Sequence, residues 1–191
     1  MNKEDVKDII KKQSKEEKIQ LEDIPELALY MDQVIQLFEK KLSSSKRNEE
    51  DKVLTKTMIN NYAKAKLLMP IKNKKYSKEH LILMSLIYDF KGALLISDIK
   101  LLLDEIVKGY ENDEEYNIRE LYLDYLNNCS EDNEEIEKYL NEKVEKIFKG
   151  SDKEDFKEKF LLVSTMINMS NVYRKIGEKL IDKYFREGEE K

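Results

Sequence analysis

Thr55, Lys56, Asn60, Asn61 and Lys64 fall at spacings that place hydroxyl, amide and ammonium groups along one short helix. A few residues later Lys72, Lys74, Lys75 and Tyr76 crowd a turn. Asparagine amides bond adenine edges in the major groove, and ammonium groups neutralise phosphate without reading sequence. The chemistry these types offer is therefore polyanion recognition. Lys52 to Lys78 contains eight lysines and no acid, in a chain of net charge −5. Residues 1–51 carry 10 basic and 13 acidic groups, 52–109 carry 11 and 5, and 110–191 carry 14 and 22. A +6 segment between −3 and −8 flanks points to a local anion site on an acidic body.

Other chemistry finds little support. His80 is the only histidine, and a surface or half-buried helix position suits it better than a metal site. Cys129 is the only cysteine, so it has no internal disulfide partner; this implies a reducing, cytoplasmic setting. It stands in NNCSED, read as a helix end, without the surroundings of a catalytic thiol. Glu111 to Glu115 lacks the glycine and spacing of a calcium loop. Phosphate-binding glycine loops, nucleophile elbows and paired cysteines are absent. The expectation is a protein that is not an enzyme and uses no cofactor.

These residues need a scaffold, and the composition predicts a helical one. Only five glycines and two prolines interrupt 191 residues, of which 40% are hydrophobic and 39% charged. No apolar run approaches the ~20 residues of a membrane span, so no membrane partner is expected. Periodicity predicts a loose helix in residues 1–20, then an amphipathic helix from Pro25 to Leu42. A polar loop from Ser43 to Lys52 follows. The next helix, 55–68, is capped by Thr55 or Thr57 and stopped by Pro70. Tyr62, Leu67 and Leu68 are read as its anchors, and Tyr76 as packing under the turn with its hydroxyl near phosphate. Ile71 to Tyr76 reads as a turn or small ribbon. Ser77 caps a helix apolar nearly all round, and Ser97-Asp98 opens another that ends at Gly109.

Tyr110 to Asn117 is read as an acidic linker. Beyond it, helices are predicted from Ile118 to Asn127, from about Asp132 to Phe148, and from Asp152 to Arg186, the last opened by a capping pattern at Ser151 to Glu154. Met166, Met169, Tyr173, Ile176 and Leu180 form a seam of about two heptads, a pattern that favours packing within the subunit over a coiled coil and that also offers a surface for a dimer. The organisation expected is an extension at 1–24, a DNA-binding domain at 25–109 and a helical dimerisation or effector region at 110–191.

The order of motifs resembles the winged helix-turn-helix head of the MerR family of transcription regulators. TKTMINNYAKAKLLMP (Thr55 to Pro70) is similar to that family's T-x-R-Y-Y-E-x-x-G-L-L-x-P helix. KNKKYSKEHLILMSLI (Lys72 to Ile87) is similar to its wing and following helix, and LLISDIKLLLDEI (Leu94 to Ile106) to the next. Asn60, Asn61 and Ala63 stand at the Arg, first Tyr and Glu of that pattern, and Lys66 at its Gly. The whole chain resembles more closely a family of uncharacterised proteins of low-GC Gram-positive bacteria that carry such a head. The resemblance implies a mainly α fold, a MerR-like head followed by a C-terminal helical bundle, double-stranded DNA as partner, and a homodimer. It implies no known effector. The competing expectation is a helical protein-interaction module that binds no nucleic acid.

Overall fold

Eight consecutive apolar or small residues, Leu81 to Tyr88, dictate the centre of the larger of two units. The computed structural model describes residues 3–15, 18–111, 116–148 and 156–186. It is mainly helical. The elements in chain order are α1 (Lys3–Ser14), β1 (Leu29–Tyr30), α2 (Met31–Leu42), α3 (Lys56–Lys64), β2 (Lys75–Tyr76), α4 (Lys78–Phe90), α5 (Ile96–Glu111), α6 (Ile118–Ile147) and α7 (Phe156–Ile181). A π-helical turn, Asp182–Arg186, follows α7. The chain forms two compact units, residues 1–16 with 127–176, and residues 17–126 with 177–191.

In the larger unit, α4 is buried from Leu81 through Ile87, as an all-round apolar helix must be. Around it pack Val34 and Phe38 of α2, Ile59 and Tyr62 of α3, Ile99 and Leu103 of α5, and Ile118 and Tyr122 of α6. This core takes in Ile19 ahead of the expected 25–109 span and Ile118, Tyr122 and Leu126 beyond it. Tyr122 is fully buried, and its hydroxyl donates to the Ile19 carbonyl at 2.6 Å while pairing with Ser85 Oγ at 2.7 Å. Ion pairs close the unit's rim. Lys78 Nζ donates to Glu26 at 2.7 Å, and Arg119 reaches Glu26 at 3.1 Å and Glu79 at 2.6 Å. Burial pushes the Glu79 carboxyl upward, but the Arg119 guanidinium and hydrogen bonds at the helix start outweigh it and hold the group below its usual range.

The smaller unit is built on Val6 and Ile10 of α1, Val144 of α6 and Leu162 of α7. The expected loose helix of residues 1–20 is thus a regular α1 with its apolar face buried. Lys3 and Lys7 both donate to Glu145, which lowers that carboxyl to about 2.

Several predicted boundaries move. α2 begins at Met31 and not Pro25, because Leu29–Tyr30 is spent as a strand and Gln33 Oε1 takes the Tyr30 N–H at 2.9 Å. α5 runs past Gly109 to Glu111. The break predicted near Asn127 to Asp132 is absent, so α6 is one 30-residue helix with Cys129 half-buried in its interior, not at an end. Asn, Ser and Asp favour caps in isolation, but on a solvated helix face they cost little. The predicted cap at Ser151 to Glu154 and half of the acidic linker, residues 112–115, lie outside the described residues. No helix among the described residues is long and apolar enough to cross a membrane.

Candidate functional site

The helix read as base-facing is short because its C-terminus is fixed in one turn. Thr55 is its N-cap, with Oγ1 accepting from the Met58 N–H at 3.2 Å, a contact typically worth ~1 kcal/mol. α3 ends at Lys64 and not at residue 68. Leu67 N–H donates to the Tyr62 carbonyl at 3.0 Å and Lys66 N–H to Ala63 at 3.1 Å, the paired bonds of a Schellman stop. Lys66 takes the left-handed conformation this demands, φ 56°, where glycine is usual. Ile59 and Tyr62 are buried, as are Leu67 and Leu68, so the anchors fall where the periodicity put them. Burial raises the Tyr62 hydroxyl above its ordinary pKa.

Anchoring one face exposes the other. Lys56, Asn60, Asn61 and Lys64 are all solvent-exposed, and Thr55 is half-buried at the cap. The predicted ribbon is present in miniature. Tyr30 pairs with Lys75 and Leu29 with Tyr76 in antiparallel register, and Lys75 N–H donates to the Lys72 carbonyl at 3.0 Å. Asn73 and Lys74, at φ 53° and 58°, are the left-handed central residues of a two-residue hairpin turn. Lys72 and Lys74 stand exposed on it, and Lys75 is half-buried. Tyr76 is 3% exposed, with its hydroxyl pushed up by burial, so its part is packing.

Two residues ahead of α3 escaped the sequence reading. Tyr30 lies under Lys75, whose Nζ is 5.0 Å from the ring centroid. Asp32, in the first turn of α2, pairs with Lys56 at 2.8 Å. These contacts draw the start of α2, the start of α3 and the hairpin strand into one neighbourhood. The signal for Tyr30 and Asp32 is a partner far along the chain, which spacing cannot reveal. Lys78, counted with the basic run, is buried against Glu26 and belongs to the scaffold. Lys91 is half-buried, its ammonium depressed by burial and lying over Tyr88.

His80 departs from its predicted surface or half-buried place. It is 3% exposed. Nδ1 accepts the Ser77 N–H at 3.2 Å and contacts Ser77 Oγ at 2.8 Å, so Nε2 carries the proton and donates to the Met69 carbonyl at 3.1 Å. One imidazole thus holds both ends of the Pro70–Tyr76 excursion, with the Tyr76 ring edge-on to it. Burial lowers its pKa, against the opposing pull of Met69 and Glu79.

Taken together, the exposed side of α3 and the hairpin turn present the amides of Asn60, Asn61 and Asn73 and several ammonium groups. These groups are hydrogen-bond donors and acceptors and positive charges, all open to solvent. Among the described residues no group of His, Cys, Asp and Glu is arranged to hold a metal ion.

Comparison with protein families matches residues 19–125 to the family described as Domain of unknown function (DUF1836). The matched stretch corresponds to the core that runs from Ile19 to Leu126. No curated protein and no solved structure matches the chain.

Proposed function

This chain belongs to the DUF1836 family, a domain of unknown function, and we propose that it is a DNA-binding regulator with a MerR-like winged helix-turn-helix head. The observation that carries the reading is the single exposed face of α3, with Lys56, Asn60, Asn61 and Lys64, beside a hairpin turn bearing Lys72 and Lys74. In this proposal α3 enters the major groove, where Asn60 and Asn61 bond adenine edges. Lys72, Lys74 and Lys75 sit on phosphate and supply salt-dependent affinity. The order α2, α3, hairpin, α4 and α5 supports the winged arrangement. Fluorescence polarisation with duplex DNA at low salt tests it. Binding is expected to fall at least tenfold in Lys74→Glu plus Lys75→Glu. Absence of wild-type binding, or an unchanged affinity in that variant, removes the reading.

A partner surface supports the dimer. Phe156, Phe160, Val163 and Ile167 recur at 4-3-4 spacing along α7 and are 79%, 59%, 60% and 59% exposed. Tyr173, Ile176 and Leu180 of the predicted seam are exposed too, so only Met166 of its inner members packs on the small core as the heptads suggested. Apolar rows of this length cover themselves by association, and we take the partner to be a second copy. The same rows also favour the competing module that binds another protein and no nucleic acid. A dimer by light scattering together with DNA binding favours the regulator. A monomer that retains one stoichiometric protein and ignores DNA favours the module.

A further inference from the structure

We propose that Asp32 is an internal competitor for the phosphate that Lys56 would hold, so that the first turn of α2 limits the charge the head offers to a polyanion. The inference rests on the DNA-binding reading. Lys56 Nζ lies 2.8 Å from Asp32 Oδ1, with the two side chains 64% and 70% exposed. Both residues belong to first turns, Lys56 of α3 and Asp32 of α2. Lys64, Lys72 and Lys74 are exposed and pair with no described carboxylate, while Lys75 is held by a ring that leaves its charge available. Among the described residues, Lys56 is therefore the one lysine of the set already paired with a carboxylate of the chain.

The counterion balance makes this distinctive. A free lysine that meets phosphate releases the phosphate's counterion, and log affinity then falls against log salt with a slope of about −0.9 per contact. Lys56 must first leave Asp32, and salt eases that step by screening the exposed pair while it weakens the phosphate contact. The two dependences run in opposite directions, so the contact adds little to the slope. Asp32 also remains beside the phosphate as a like charge. Both effects hold down affinity for DNA of any sequence.

The test is polarisation titration of a fluorescein-labelled duplex across a salt series, with four full-length proteins: wild type, Asp32→Asn, Lys56→Gln and the double variant. Asp32→Asn is expected to bind about two- to fivefold more tightly at low salt, as removal of an exposed pair allows. Its salt slope is expected to steepen by up to about 0.9, one additional contact. Lys56→Gln is expected to leave the wild-type slope nearly unchanged and to abolish the steepening in the Asp32→Asn background. A gain from Asp32→Asn that persists in full without Lys56 overturns the masking, because removal of a negative charge alone would explain it. No gain at all also overturns it and leaves the DNA-binding reading intact. A wild type that binds no duplex overturns both. Asp32→Ser repeats the measurement if Asp32→Asn alters the melting temperature.

Discussion

At the scale of single residues, three side chains occupy places that a different residue would fill by default. Lys66 holds a left-handed φ, where a side chain costs about 1 kcal/mol. Lys66→Gly is expected to stabilise the fold by up to about 1 kcal/mol in chemical denaturation, net of the extra freedom glycine gains when unfolded. His80 is buried neutral, with a pKa lowered by burial. Unfolding lets it bind a proton, so its contribution is complete above the unfolded pKa of about 6.5 and is lost as pH falls below that value. Wild-type stability is expected to decline between about pH 6.5 and 5, and the slope to flatten in His80→Leu. His80→Ala, which strands the Met69 carbonyl and the Ser77 N–H and opens space beneath the hairpin, is expected to cost about 2–3 kcal/mol at neutral pH. Tyr30 supports Lys75 through its ring. Tyr30→Ala is expected to weaken duplex binding severalfold with little change in melting temperature, since the ring is half exposed and cation–π contacts at such sites are worth about 0.5–1 kcal/mol. Unchanged binding there would detach Tyr30 from the proposed interface.

At the scale of elements, α3, β2, α4 and α5 were legible because their signals are local. Thr55 and Ser77 are caps, Ile59 and Tyr62 lie one turn apart on the inner face, and the apolar run of α4 has only one possible environment. The start of α2 was not legible. Pro25 and the 3-4 spacing after it suit a helix, yet Leu29 and Tyr30 are claimed by β2, whose partner lies across the whole of α2 and α3. The continuity of α6 was hidden for the opposite reason: Asn127 to Asp132 carries local stop signals that the surrounding helix overrides. For the candidate site, the exposed set on α3 and the turn followed from the pattern. Its modifiers, Asp32 on Lys56 and Tyr30 on Lys75, depend on tertiary proximity that no spacing encodes.

At the scale of the whole molecule, the core from Ile19 to Leu126 and the family match over residues 19–125 mark the same body. A fragment of residues 18–126 is expected to retain helical circular dichroism and a cooperative melt, losing only the Arg186–Asp98 pair and the contacts of the last turns. A gradual, non-cooperative melt would mean that residues 177–191 complete the unit. Replacing Phe156, Phe160 and Val163 by Ser is expected to shift light scattering toward a single chain without altering DNA affinity for one half-site. The placement of Tyr122 also bears on how the chain is made. α4 is apolar on every side, and its cover is completed by Tyr122 and Leu126, which emerge from the ribosome well after it. Until α6 has been synthesised, the middle of the nascent chain carries unprotected apolar surface. Transiently exposed apolar surface makes partly folded chains prone to aggregate, so the interval between α4 and Tyr122 is expected to be the most exposed stage of the chain's synthesis.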